Sequence, residues 1–159
     1  MAFETADSWQ AARELVTFSP REPADTLGRA LVAIRIHVRD HRGRELPMSD
    51  RTLEAHYGSF VVSQCRKGEV EARRWALDVS YGPSPRPVLI LGRGGRVYEP
   101  GPEPDPSDID GRNPAVVTWA DGEMLFLVAS SELTTANLIA VATSVYPRQV
   151  PTRQPRSRP

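Results

Sequence analysis

Apolar and polar side chains alternate along much of the chain between residues 31 and 98. In LVAIRIHV (31–38), Val32, Ile34, Ile36 and Val38 alternate with Ala33, Arg35 and His37. This period of two predicts a strand with one covered face, as in an antiparallel sheet. TLEAHY (52–57) repeats it, with Leu53, Ala55 and Tyr57 opposed by Thr52, Glu54 and His56. Gly58–Ser59 predicts a turn into FVVSQC (60–65), and RKGE (66–69) a further turn. RWALDVSY (74–81) then predicts a strand carrying Trp75, Leu77, Val79 and Tyr81 on one side. VLIL (88–91) reads as a short apolar strand, GRGG (92–95) as a turn, and RVY (96–98) as a returning strand.

Two segments carry the helical period instead. In ADSWQAARELVTF (6–18), Asp7 or Ser8 caps a short helix with Trp9, Ala12 and Val16 along one face, and SPREP (19–23) stops it. The end of the patterned region, 115–146, reads as strand, tight turn at Asp121–Gly122, strand and helix. Thr134 caps that helix, and Leu138, Val141, Ala142 and Val145 form its stripe. RDHRGRELPMSD (39–50) is a polar connection. EPGPEPDPSDIDGRNP (99–114) holds five prolines and predicts a stiff exposed loop.

Together these predict an α+β fold: an antiparallel sheet covered on one face by an N-terminal and a C-terminal helix. The expected organisation is a flexible N-terminus (1–8), a single domain (9–146) and a disordered tail rich in proline and arginine (147–159).

Composition narrows the function classes. The 159 residues suit one domain with a real core, and 20 basic residues balance 20 acidic ones. No net field draws the chain to nucleic acid or anionic membrane, and the arginines of the tail lack an aromatic platform for bases. The single cysteine, Cys65, excludes an internal disulfide and a cysteine-cluster zinc site. No apolar run approaches the roughly 18 residues of a membrane span, and the first residues do not read as a signal peptide. A cytoplasmic chain is the expectation from the sequence as it stands.

Few residues invite chemistry. His37 and His41 are four apart, but in a strand that separation is roughly 13 Å, too far to share a metal. His37 and His56 fall on wet strand faces that can meet across a sheet, with no carboxylate spacing that completes a ligand set. Cys65 ends an apolar strand and reads as a buried, inert thiol. LGRGGR (91–96) lacks the ending of a phosphate-binding loop and reads as a hairpin. No catalytic residue, metal ligand or cofactor site is assigned. Trp75, Tyr81, Trp119 and Phe126 are first expected in the core, and second around a ligand cleft between sheet and helix.

Three segments also resemble a known family. ELVTFSPREP (14–23), HYGSFVVSQ (56–64) and VTWADGEMLFLVASSELTTANLIAVATSVY (117–146) are similar to the extracytoplasmic, sensor-type domain of bacterial anti-sigma-factor-like proteins, itself related to half of the LolA/RseB fold. The segments span most of residues 9–146. The resemblance implies a curved antiparallel sheet with helices on its concave side. It further implies a non-enzymatic binding or regulatory module with a protein partner or, as the alternative, a carrier of lipid or another hydrophobic small molecule. Those relatives act outside the cytoplasm behind a membrane helix. This sequence shows no such helix and no zinc-binding anti-sigma module, and its proline-rich loop is long.

Overall fold

In the computed structural model, which describes residues 2–78, 85–100 and 114–148, eight strands pair antiparallel throughout. In chain order the elements are β1 (Phe3–Ala6), α1 (Trp9–Arg13), β2 (Ala33–His37), β3 (Thr52–His56), β4 (Val61–Arg66) and α2 (Glu69–Asp78). β5 (Arg86–Ile90), β6 (Arg93–Tyr98), β7 (Ala115–Asp121), β8 (Met124–Ser130) and α3 (Thr135–Ser144) follow. The sheet order β1-β2-β3-β4-β8-β7-β6-β5 joins two four-stranded meanders at the β4–β8 pair. After β4 the chain passes through α2 to the far edge, then winds back until β8 reaches β4. The α+β antiparallel class expected from the alternation is the one observed.

The register sorts side chains onto two faces. Leu53 lies opposite Gln64 and Ala55 opposite Val62; Val62 faces Val128, Gln64 faces Phe126, and Phe126 faces Trp119. With Ile34, Ile36 and Val117 these residues form one continuous layer, almost all of it apolar. Ser8 caps α1, its hydroxyl accepting from the Ala11 amide at 3.1 Å, and Trp9 and Ala12 pack into this layer. Thr134 caps α3 in the same way, and Leu138, Val141, Ala142 and Val145 are all buried there.

The second face is also covered. Thr118 and Trp119 are successive residues of β7, so their side chains leave the sheet on opposite sides. Trp119 Nε1 donates to Tyr146 Oη just beyond α3 (3.0 Å), whereas Thr118 Oγ1 donates to the Ala76 carbonyl of α2 (3.0 Å). α2 therefore roofs the face opposite α1 and α3. The expected two-helix cover of one face is correct for that face and incomplete for the sheet.

α2 replaces the strand expected over 74–81. Trp75-Ala76-Leu77-Asp78 alternates, but the preceding Glu69–Arg74 supplies good helix formers and an i,i+4 Glu69–Arg73 ion pair. Ala72 and Ala76, also i,i+4, are fully buried and let the helix backbone approach β7 closely. Tyr81 and the expected turn of Val79 and Tyr81 to one side lie outside the described residues, as do most of the proline-rich loop and the tail from 149 on.

Three smaller expectations shift. Residues 3–6, placed in a flexible N-terminus, pair with β2 as an edge strand; with Phe3, Glu4 and Thr5 exposed, only Ala6 is buried to mark it. The β5–β6 turn is Leu91–Gly92, and Gly94 and Gly95 belong to β6. A Cβ on Gly95 would strike the Thr118 carbonyl oxygen and come within 2.8 Å of Trp119 Cβ, so β7 requires glycine there. The β7–β8 turn is Gly122–Glu123, one residue later than expected.

Candidate functional site

Of the residues expected in the core or around a cleft, Trp119 and Phe126 lie together and Trp75 lies apart from them, while Tyr81 lies outside the described residues. Trp119 and Phe126 stack at 4.9 Å with an interplanar angle of 7°, both essentially without solvent exposure. Leu138 and Val141 close the layer above the sheet. Trp75 sits across the sheet on α2, 36% exposed, its Nε1 donating to Glu71 (3.3 Å) and Lys67 Nζ lying 5.2 Å from its ring centre. The sheet–helix interface is filled at Trp119, and Trp75 belongs to a different surface.

The candidate site begins instead with residues 17–31, which cross the α1/α3 face as a strap. Pro20 and Pro23 are buried, which leaves no orphan amide because proline has none. Between them, Arg21 presents its backbone to the fully buried Gln64. Gln64 Oε1 accepts from the Arg21 amide (2.8 Å), and Gln64 Nε2 donates to the Arg21 carbonyl (2.7 Å). One side-chain amide thus does for the strap what a neighbouring strand would do. The Ala24 amide then donates to the Ser144 carbonyl at the end of α3 (3.1 Å).

So anchored, Arg21 lies over Tyr146, its Cζ 4.9 Å from the ring centre; Arg93 Cζ approaches the same ring at 3.7 Å. Arg93 Nε also donates to Asp121 Oδ2 (2.9 Å), and its terminal nitrogen donates to the Leu91 carbonyl (3.1 Å). Tyr146 Oη accepts from Trp119 and donates to the same Asp121 oxygen (2.9 Å). Burial, with the Asp121 carboxylate beside it, pushes the Tyr146 phenol up to about 12, so it remains a neutral donor at physiological pH.

This cluster floors an open groove of about 1680 Å³ between the strap, the end of α3 and the β5–β6 turn. Its polar lining includes Arg21, Arg93 and Arg148 against Glu22 and Asp25. Asp25 Oδ1 accepts from the Leu27 amide, and Arg93 is neutralised by Asp121. Among the described residues no carboxylate pairs with Arg21 or Arg148. An arginine whose backbone is held by a buried clamp and whose guanidinium lies against an aromatic ring, with its donors unspent, is suited to reading an oxyanion. Arg21, Gln64, Arg93 and Tyr146 gave no local motif; their pieces converge only through tertiary structure.

His37 and His56 meet on the opposite face. His37 Nε2 is 2.9 Å from Glu54 Oε1, and His56 Nε2 is 3.2 Å from Glu54 Oε2. His37 is close enough for an ion pair but out of line for a hydrogen bond. Glu54 is therefore the carboxylate that spacing alone did not associate with them. Its position on β3, between the residues facing His37 and Ala33, lets it reach both ways. Among the described residues no group of three acidic, histidine or cysteine side chains is arranged to hold a metal ion. His41 is exposed in the 40–43 turn, away from this cluster.

Cys65 lies beside Thr52 in the β3–β4 register and is 8% exposed. Burial raises its thiol above the ordinary range, with Lys67 offsetting in part. That is opposite to the shift that activates a nucleophile. Among the described residues no helix is long and apolar enough to cross a membrane. The chain matches no family model, no curated protein and no solved structure in the comparisons made.

Proposed function

We propose that this chain is a non-enzymatic binding or regulatory domain whose working surface is the Arg21–Tyr146 groove, and that its ligands carry carboxylates or other oxyanions. The carrying observation is the held guanidinium. The Gln64 clamp fixes Arg21 by its backbone, and Tyr146 receives its side chain, so little freedom is left to lose on binding. The resemblance to sensor-type anti-sigma domains supports a regulatory setting for such recognition.

Titration with a hexaglutamate peptide at low salt, followed through backbone amide resonances, tests this reading. Shifts are expected at Arg21, Arg93, Tyr146 and Arg148, weakening with added salt and lost in Arg21→Ala/Arg148→Ala. The Arg21→Ala change leaves the Gln64 clamp in place, because the clamp uses main-chain atoms. Shifts gathered on the His37–Glu54–His56 face instead would reject the assignment.

The carrier alternative finds support in the groove's size, which exceeds the several hundred Å³ of ordinary ligand pockets. Hydrophobic cargo would lie at this margin, since the layer beneath α3 is filled. Native mass spectrometry of protein from its own host, showing copurified lipid, would favour carriage over oxyanion recognition.

A further inference from the structure

The open sheet has two edges, β1 and β5, and they are finished differently. At β5 the turn residues Leu91 and Gly92 have φ of 47° and 82°, the left-handed pair that marks a two-residue type I′ hairpin. Such a turn makes Ile90 and Arg93 a hydrogen-bonded pair. Val88 and Arg86 then also bond to β6, and the residues between them turn their backbone groups to the free edge. Those residues are Leu89 and Pro87, with Pro85 next in phase. Proline has no amide hydrogen, so from 85 to 89 this edge keeps only the Leu89 donor and is blunted against further pairing.

β1 carries no such device. The Val38 amide donates to the Ala2 carbonyl (3.4 Å), which fixes the phase of the β1–β2 ladder. Glu4 and Ala6 bond inward to β2, and the amides and carbonyls of Phe3 and Thr5 face outward. Phe3, Glu4 and Thr5 are all exposed. Two unpaired charges stand beside this edge. Arg35 holds its guanidinium over the Phe3 ring, 4.8 Å from its centre. It makes no ion pair among the described residues, because Glu54, opposite it in register, is turned to His37 and His56. Asp7, just after β1, is exposed and also lacks a partner among the described residues.

We infer that the β1 edge is a homodimer interface, where a second copy lays its own β1 antiparallel to this one about a two-fold axis at Thr5. Thr5 then faces Thr5, Glu4 faces Ala6 and Phe3 faces Asp7. Thr–Thr is a favoured cross-strand pair and no two carboxylates meet, whereas an axis at Glu4 would set Glu4 against Glu4. Charge complementarity selects the second copy as the occupant. Asp7 of one chain arrives beside Phe3 of the other, where the Arg35 guanidinium already lies, so the axis joins the two unpaired charges twice. The contact is isologous and closes at two subunits, because the edges left over are the proline-blunted β5 strands. The groove borders the β5–β6 turn at the far end of the sheet, so dimerisation neither needs nor blocks it.

Sedimentation velocity over a dilution series tests the interface. The unchanged chain is expected to move from monomer toward twice the monomer mass as concentration rises, with amide exchange at Phe3 and Thr5 slowing in step. Thr5→Pro copies onto β1 the device found at Pro87, giving up only an outward-facing amide. It is expected to keep the monomer's Tm and lose the dimer. Arg35→Glu is expected to weaken self-association roughly tenfold, the scale of two exposed ion pairs lost, and Asp7→Arg in the same chain to restore it. A monomer at every concentration would overturn the inference. So would a dimer that survives Thr5→Pro, one lost only in Leu89→Pro, or a double charge variant that stays weak. If Thr5→Pro fails to fold, exchange in the unchanged chain decides, and protection at Phe3 and Thr5 that ignores concentration rejects the interface.

Discussion

Trp119 and Trp75 each stand in a stretch that alternates apolar and small or polar residues, and each was expected in the core. Trp119 is wholly buried, stacked on Phe126 and hydrogen-bonded to Tyr146, so Trp119→Ala is expected to cost about 3–5 kcal/mol in urea unfolding. Trp75 covers only part of its ring on α2, and Trp75→Ala should cost less than about 1 kcal/mol by the same measurement. Equal losses would contradict the assignment of the two rings to different surfaces. Single residues were legible where they followed their strand's period, as Trp119 and Phe126 do. Gln64 left only a discord, a polar side chain at an inward position, because its partner Arg21 is 43 residues away. Leu91 left none, since its conformation appears only once the turn is placed.

At the scale of elements, period and caps were reliable guides where one face met a core. α3 begins after Thr134 and buries the stripe its spacing predicts, and β2, β3 and β8 follow their alternation. α2 departs from the strand its sequence predicts because four residues that alternate can also belong to a helix whose buried side is two alanines. The sequence predicts the β5–β6 hairpin but puts its glycines in the turn, whereas Gly95 is a packing requirement of β7. Gly95→Ala should therefore disturb the β6–β7 ladder at a cost of about 2–3 kcal/mol, read as a lowered urea midpoint and faster amide exchange at Val117 and Trp119. Gly94→Ala, next to it and with open space around its Cβ position, should be mild. If both substitutions cost the same, crowding against Trp119 is not the reason for glycine at 95.

Over the whole molecule, the class of fold was readable from local pattern, but the strand order was not. Nothing local tells β4 to pair with β8, and the groove inherits that blindness, being made from residue 21, the 91–93 turn and the end of α3. The shared apolar layer runs across the seam from Trp9 to Trp119, so the two meanders are expected to melt as one unit. In a variant retaining only Trp9 and in one retaining only Trp119, the fluorescence transition should coincide with the same variant's far-UV circular dichroism transition, and a mismatch within either variant would show two independent halves. The seam also bears on synthesis. β4 leaves the ribosome about sixty residues before the strand that will cover its outer edge, so the nascent chain carries an unpaired inner strand through much of translation. Val61-Val62 on that waiting edge is where a holding chaperone would be expected to engage, and where slowed elongation would first show as aggregation.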